Sequence, residues 1–218
     1  MANISRWLLN LFLKSNCPLC QRPTGELVCT YCQKQIQACQ FQNPAEFWRG
    51  DFPLFVWGNY QGTVKRSIAA LKYENQPELA RPLGTWLGKA WQQSPPIGGT
   101  LAIVPIPMHP EKQKQRGFNQ AELLAVNFCR LTGHKLRSTA LSRVKATTAQ
   151  FSLSIQAREQ NLQDAFQVTP SGQQLREPVL LLDDIYTTGA TARSAKVALE
   201  AAGIPVVGII ALATTSKV

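Results

Sequence analysis

The sequence has no long apolar run. No stretch approaches the ~18 consecutive apolar residues of a membrane-spanning helix, so no membrane span is predicted. The apolar segment at 4–13 is short and runs through Lys14 into a cysteine cluster without a small-residue cleavage site, which argues against a secretory signal. We expect an amphipathic helix that covers the main domain; a helix that binds a membrane surface or a partner is the alternative. A cytoplasmic protein is therefore predicted.

Acidic residues are scarce. The 218 residues include 13 Asp and Glu against 23 Lys and Arg, which gives a formal net charge of +10. This balance suits an anionic partner such as phosphate, pyrophosphate or nucleic acid, although a solvated surface without a partner has the same composition. The apolar fraction of 44% is enough for a hydrophobic core, and the length fits one globular domain with a small appendage.

Cysteines are few, but four of the six form two C-x2-C pairs separated by eight residues. Two such knuckles place four thiolates around one ion, and tetrahedral thiolate coordination suits zinc. A unit this short cannot bury its own core, so the metal would supply its folding energy. Disulfides or a redox pair are the alternatives, but nothing in the sequence indicates secretion. The predicted ligands of one structural zinc ion are Cys17, Cys20, Cys29 and Cys32, with Cys39 as a spare or substitute.

The segment 179–191 reads V-L-L-L-D-D-I-Y-T-T-G-A-T. It predicts a buried strand, an acidic tip at Asp183 and Asp184, and a loop of small and hydroxyl residues that opens a helix over 192–202. A helix N-terminus favours phosphate, Gly189 permits close backbone approach, and threonine hydroxyls can donate hydrogen bonds to phosphate oxygens. The carboxylates can accept hydrogen bonds from a ribose diol, so the segment predicts a sugar-phosphate site.

This segment resembles the 5-phosphoribosyl-1-pyrophosphate (PRPP) motif of the type I phosphoribosyltransferases. The resemblance implies that Asp183 and Asp184 contact the ribose hydroxyls and that the following loop holds the 5'-phosphate. The residues of that loop are Thr187, Thr188, Gly189, Ala190 and Thr191. The resemblance also implies an α/β fold with a central parallel sheet and helices on both faces. We predict this domain over 51–218, behind an N-terminal helix and four-cysteine zinc module over 1–50.

A second strand–loop–helix unit lies upstream. An apolar strand is predicted over 101–106, and a helix begins at Asn119 and ends at Gly133. The loop between them is basic, with the cations Lys112, Lys114 and Arg116. Ligands in open α/β sheets sit beyond the carboxyl ends of strands, so the loops 107–118 and 183–191 are expected to meet over one ligand. The first would hold pyrophosphate and the second the 5'-phosphate.

Two further stretches narrow the resemblance. Residues 104–125 contain V-P-I-P-M-H-P and R-G-F-N-Q-A-E-L-L-A. The pattern ahead of the PRPP-like motif includes Gln150, Leu153, Ser154, Arg158, Asn161, Ala165 and Phe166. Together with the paired knuckles, these stretches resemble the ComF family of bacterial competence proteins over nearly the whole chain. The resemblance implies a phosphoribosyltransferase-like domain behind a zinc module, and a role in the uptake of transforming DNA with proteins of the competence machinery.

If the predicted site is catalytic, the reaction displaces pyrophosphate from the anomeric carbon of PRPP. Mg2+ and cationic donors near the leaving group are then required. The catalytic candidates are Asp183, Asp184 and Arg116, while Lys112 and Lys114 contact the pyrophosphate. The phosphoribosyltransferase resemblance also implies a mobile loop within 143–166 that closes over the ligand.

Other functions fit the same sequence. The domain could bind single-stranded DNA on a non-catalytic scaffold, with phosphates in a basic groove and bases stacked on aromatic side chains. The aromatic candidates are Trp48, Trp57, Tyr60 and Phe118. It could instead sense PRPP or a nucleotide without turnover, or be an active phosphoribosyltransferase of nucleotide metabolism. No general base and no base-recognition hood is evident, so the acceptor and turnover are left open.

Overall fold

A computed structural model describes residues 15–145 and 165–215. The helix predicted over 4–13 lies outside the described residues. So do the family-like positions from Gln150 to Asn161 and most of the predicted mobile loop.

Residues 15–145 and 165–215 contain nine strands and six α-helices. The strands are β1 (Ser15–Asn16), β2 (Pro23–Thr24), β3 (Leu54–Asn59), β4 (Ala102–Pro105), β5 (Lys135–Leu136), β6 (Leu141–Arg143), β7 (Phe166–Val168), β8 (Val179–Tyr186) and β9 (Val206–Thr214). The helices are α1 (Thr30–Gln37), α2 (Gly62–Tyr73), α3 (Ala80–Gln93), α4 (Pro110–Arg116), α5 (Gln120–Thr132) and α6 (Ala190–Ala201). None of the helices in the described ranges is long and apolar enough to cross a bilayer.

Five strands form a parallel sheet in the order β3-β9-β8-β4-β5. Its central strands are nearly continuous apolar runs because both faces are covered. Leu180 and Leu182 of β8 pack with helices α2, α3 and α5 on one face. Val179 and Leu181 pack with α6 and the β6–β7 hairpin on the other face. The predicted α/β fold with a central parallel sheet and helices on both faces is therefore confirmed.

The chain leaves β4 and β8 in opposite directions. After β4 it passes through α5 to the outer strand β5, whereas after β8 it passes through α6 to β9. Neighbouring parallel strands with diverging connections create a crevice at their carboxyl ends, where ligands bind in open α/β sheets. The Ile106 N–H donates to the Leu182 carbonyl at 2.8 Å, so the segment after β4 starts beside the acids of β8.

The segment after β4 differs from its prediction. The sequence predicts a basic loop there, but Pro110–Arg116 is the short helix α4. Pro110 occupies its first turn, the His109 side chain accepts a hydrogen bond from the Glu111 N–H at its start, and Gly117 ends it with φ 84°. The sequence of this helix has no apolar periodicity, so the signals at its two ends, Pro110 and Gly117, account for its formation. His109 therefore has a capping role.

Strand β8 is also longer than predicted. It does not stop before the acids but continues through Asp183 and Asp184 to Tyr186, paired with β9 as far as Thr214. The helix that follows begins at Ala190, two residues earlier than predicted. The predicted helix start at Asn119 is confirmed, because its side chain accepts a hydrogen bond from the Ala121 N–H at 3.1 Å.

The N-terminal module shares its core with the sheet domain. Leu19, Val28 and Ile36 belong to the same buried cluster as Val64 and Ile68 of α2. A hydrogen bond of 2.8 Å from the hydroxyl of Thr63 to the side-chain oxygen of Gln35 also joins α2 to α1. The domain boundary near residue 50 stays a prediction, and the hydrophobic core continues across it.

Candidate functional site

The two acids of β8 have different surroundings because successive strand residues point to opposite faces of a sheet. Asp184 is only 3% exposed and points toward α2 and α5. Its Oδ1 accepts a hydrogen bond of 3.2 Å from Gln120 Nε2, and its Oδ2 forms an ion pair with Lys72. Both carboxylate oxygens of Asp184 are therefore engaged within the protein.

Lys72 is the counter-charge of Asp184. Burial disfavours the ammonium, but the Asp184 carboxylate outweighs this, so the pKa of Lys72 is raised above its ordinary value. Lys72 is thus a cation at neutral pH, and the ion pair offsets the cost of burying its charge.

Asp183 is half-buried and points to the opposite face of the sheet. Its Oδ1 accepts a hydrogen bond of 2.8 Å from the Asp184 N–H. Burial, and next the neighbouring Asp184 carboxylate, raise the pKa of Asp183 well above the ordinary carboxyl value. Arg143 of β6 interacts electrostatically with it: burial lowers the pKa of Arg143, and the charge of Asp183 opposes that shift. A cation or a hydrogen-bond donor near Asp183 would favour its ionised form.

The predicted phosphate loop lies directly beyond β8 and leads into the N-terminus of α6. Thr187 and Thr188 are exposed, and Gly189 adopts the left-handed conformation with φ 76°. A Cβ at Gly189 would lie 2.2 Å from the Tyr186 hydroxyl oxygen, so this position requires glycine. Arg193 Nη1 donates to the Thr188 carbonyl at 2.9 Å and brings a further positive charge to the loop.

The basic helix α4 lies on the side of the crevice that faces α2. Lys112 and Arg116 are four residues apart, so they share one face of α4. They line a cleft of about 400 Å3 together with Lys72, Tyr73 and Gln115. Lys114 is exposed but is not part of this lining.

Arg116 connects this cleft to the acids. Its Nη1 donates to the side-chain oxygen of Gln120, and the amide nitrogen of Gln120 donates to Asp184. The structure thus brings Arg116 and Asp184 into one hydrogen-bonded chain, as neighbouring sites of the predicted ligand would require.

The aromatic residues predicted to stack on bases are not exposed platforms. Trp57 is fully buried, and Trp48 packs edge-on against Trp91 at a centroid distance of 5.8 Å. Tyr60 and Phe118 are half-buried against the same core. These four side chains therefore pack in the hydrophobic core, and they do not form an exposed surface on which bases could stack.

Sequence reasoning missed Lys72, Gln120 and Tyr73. Lys72 could have been found from the sequence, because it follows the buried Ile68 by four residues and so places a charge on the apolar face of α2. Gln120 and Tyr73 have no such signal. Their roles depend on which elements the topology places beside β8.

The four predicted metal-ligating cysteines converge. Their sulfur atoms all lie within 4.8 Å of one another, and the group could hold a metal ion. Cys17 and Cys20 lie in the turn after β1, while Cys29 and Cys32 lie at the start of α1. Burial opposes a thiolate at Cys17, but hydrogen bonds from the backbones of Cys29, Leu19 and Cys20 lower the pKa of Cys17 to about 7. Burial raises the pKa of Cys32 in the same cluster.

Comparison with known proteins gives several relatives, although no protein-family model matches the chain. Competence protein F of Haemophilus influenzae is 28% identical over 94% of this chain and 93% of its own length. The DNA utilization protein YhgH of Salmonella typhi is 29% identical over 81% of this chain and 74% of its own. Competence protein ComFC of Bacillus subtilis is 27% identical over 80% of this chain and 67% of its own.

Two solved structures are also similar. One is the allosteric regulatory enzyme of purine biosynthesis, with 16% identity and a TM-score of 0.41. The other is glutamine PRPP amidotransferase from Bacillus subtilis complexed with ADP and GMP, with 15% identity and a TM-score of 0.39. The matches cover 69% and 66% of this chain but 30% of each of the other chains.

The curated relatives match most of this chain, and two of the three are named as competence proteins. These relatives, at 27–29% identity over 80–94% of this chain, confirm the resemblance to the ComF family found in the sequence.

Proposed function

We propose that this protein binds a phosphoribosyl ligand, PRPP or a related nucleotide, at the carboxyl ends of β4 and β8. The observation that carries the proposal is the N-terminus of α6, opened by Gly189 directly beyond the two carboxylates of β8. Phosphate is favoured at such a helix terminus, and carboxylates accept hydrogen bonds from a sugar diol. The two chemistries lie within one strand–loop–helix unit.

The two acids have separate roles in this proposal. Asp183 accepts hydrogen bonds from the ribose hydroxyls directly, because its side chain is the more accessible of the two. Asp184 keeps Lys72 and Gln120 in place and contacts the ligand only by exchanging one of these partners. The segment 187–191 holds the 5'-phosphate through backbone N–H groups, the threonine hydroxyls and the helix dipole.

Cations across the crevice would complete the site. We assign Lys112, Lys114 and Arg116 to the pyrophosphate, with Arg116 as the donor closest to the acids through Gln120. A Mg2+ ion would neutralise the pyrophosphate charge when bound. Asp183 would hold it, because its carboxylate lies near the carboxyl end of β8 beside the proposed ligand. Turnover would additionally require an acceptor.

We further propose that the four converging cysteines hold one structural zinc ion. Four thiolates in tetrahedral arrangement are a closed zinc site with no open position, so the ion would stabilise the module rather than take part in chemistry. The convergence of the four sulfur atoms within 4.8 Å, in largely buried surroundings, supports this assignment.

The cellular role that we propose is natural competence and DNA uptake, and the location that we propose for the protein is the cytoplasm. The relatives are named for competence and for DNA utilization, and each of them matches most of this chain. A net charge of +10 is compatible with an anionic partner.

Calorimetric titration of the metal-loaded full chain with PRPP and Mg2+ tests the ligand assignment. We expect saturable binding that Asp183→Asn weakens at least tenfold, whereas Asp51→Asn, an exposed carboxyl outside the site, leaves it unchanged. Absence of binding, or equal binding by both variants, would contradict the proposal. A DNA module on an inherited scaffold would instead bind oligonucleotides with steep salt dependence and be unaffected by Asp183→Asn.

A further inference from the structure

An exposed tyrosine stands in the cationic cleft between α2 and α4. Tyr73 is 77% exposed, at the last position of α2, and is one of the few large apolar side chains exposed within the described ranges. Arg116 lies over its ring with 5.5 Å between Cζ and the ring centroid. An arginine and an aromatic ring in one cleft are the two groups that recognise a phosphate beside a planar ring.

The charge of the cleft favours an anion. Its lining contains three cations, Lys72, Lys112 and Arg116, and no carboxylate. Lys72 is neutralised by Asp184. Lys112 is exposed and makes no ion pair with any residue in 15–145 or 165–215, so its charge and that of Arg116 are available to a ligand.

Contacts within the protein fix the position of Arg116 in the cleft. The guanidinium of Arg116 is positioned by the Gln120 side chain and lies 3.7 Å from the sulfur of Met108. The volume of about 400 Å3 falls in the range of small-molecule sites. It lies on the α2 side of β8, whereas the proposed 5'-phosphate loop leads into α6, which packs on the opposite face.

We propose that this cleft binds a nucleotide: its phosphate contacts Lys112 and Arg116, and its base stacks on Tyr73. The site lies on the other face of β8 from the proposed 5'-phosphate loop and does not require a phosphoribosyl ligand. It shares Lys112 and Arg116 with the pyrophosphate contacts proposed above, and the group that it adds is the ring of Tyr73. A free mononucleotide and one unit of a single-stranded nucleic acid present the same phosphate and base, so both fit this chemistry.

The chain contains a matched control for the aromatic group. Tyr31 is also exposed, at 50%, and also carries an arginine over its ring, with 4.2 Å from Arg22 Cζ to the centroid. It lies on α1, away from the cleft. Lys65 is an exposed lysine on α2 outside the cleft and controls for the loss of one positive charge.

The test is a titration of the full chain with dAMP and, separately, with a fluorescent single-stranded oligonucleotide, an abasic oligonucleotide of equal length and inorganic pyrophosphate. We expect Tyr73→Ala to weaken binding of the base-containing probes about tenfold, and Tyr73→Phe less than twofold, because stacking needs only the ring. Arg116→Gln should weaken all four probes. Tyr31→Ala and Lys65→Gln should change none of them.

The two base-containing probes distinguish a free mononucleotide from a single-stranded nucleic acid as the ligand. Binding of dAMP indicates a free nucleotide, and binding of the oligonucleotide without dAMP indicates a nucleic-acid strand; either supports the site. Equal binding by wild type and Tyr73→Ala, equal affinity for the abasic and the normal strand, or no binding of either base-containing probe would overturn it. Asp183→Asn should leave these four affinities unchanged. Failure of the PRPP assignment can therefore be distinguished from failure of the proposal for the cleft.

Discussion

The four-cysteine module and the carboxyl edge of the sheet assemble their polar groups in different ways. The module takes four ligands from 16 consecutive positions, and a turn and a helix start suffice to bring the sulfur atoms within 4.8 Å. The edge takes Lys72, Gln120 and Asp184 from three distant elements, which meet only once the sheet has formed. Local spacing therefore encodes the first site, whereas topology encodes the second.

The largest expected effect concerns the local site. Cys29→Ser removes one of four ligands, and structural zinc contributes on the order of 10 kcal/mol to the folding of small metal-dependent units. We expect loss of bound metal together with loss of the ordered module, measured by metal analysis and thermal denaturation. Cys39→Ala, a buried cysteine outside the cluster, should retain the metal. A metal-free wild type with an unchanged melting curve would contradict the prediction.

The next effect concerns the assembled site. Lys72→Met leaves the Asp184 carboxylate, only 4% exposed, without its counter-charge, and breaking a buried pair in this way costs about 3–5 kcal/mol. Urea denaturation should show this loss, and most of it should be recovered in the double variant Lys72→Met/Asp184→Leu. The exposed Lys65→Met provides the control. A loss of unfolding free energy below about 1 kcal/mol for Lys72→Met would mean that the ion pair with Asp184 does not stabilise this part of the sheet.

A smaller effect is expected from substitution of Gly189 in the loop, where a comparison with Gly203 distinguishes the cost of the backbone conformation from the cost of packing. Gly189 and Gly203 both have φ 76°, but only a Cβ at Gly189 would collide with Tyr186. Gly203→Ala should therefore cost about 1–2 kcal/mol for the left-handed conformation alone. Gly189→Ala should cost about 1–3 kcal/mol more, because Tyr186 must be displaced. Equal losses of unfolding free energy in the two variants would refute the close packing at the loop.

The smallest effect has the opposite sign. Asp183 has a raised pKa in the folded state, so its ionisation weakens the fold as pH rises from about 4 through that pKa. Asp183→Asn should therefore increase stability at neutral pH, by about 0.5–2 kcal/mol, as is common when a functional residue is removed. The gain should vanish below about pH 4, where the acid is protonated in both states. Melting temperatures measured across pH decide this, and destabilisation at neutral pH would refute it.

Much of the fold could be predicted because its signals are local. The apolar run ending in Asp183 predicted the core of β8, and the caps Asn119 and Gly133 predicted α5. Helix α4 was missed because its seven residues have no apolar face. The extension of β8 was missed because adjacent acids normally end a strand; here Asp184 gains Lys72 and Gln120 inside the fold, and those contacts join residues 64 or more positions apart in the sequence.

Helix α2 is held at both of its ends. Thr63 in its first turn is bonded to Gln35 of the module, and Lys72 in its last turn is paired with Asp184. Twelve residues of α-helix span about 18 Å, so α2 links α1 of the cysteine module to the acids over that distance. If the cysteines hold a metal as proposed, we expect its removal to disturb the placement of Lys72 through this helix, and a partly metal-depleted sample to titrate as a mixture of two affinities.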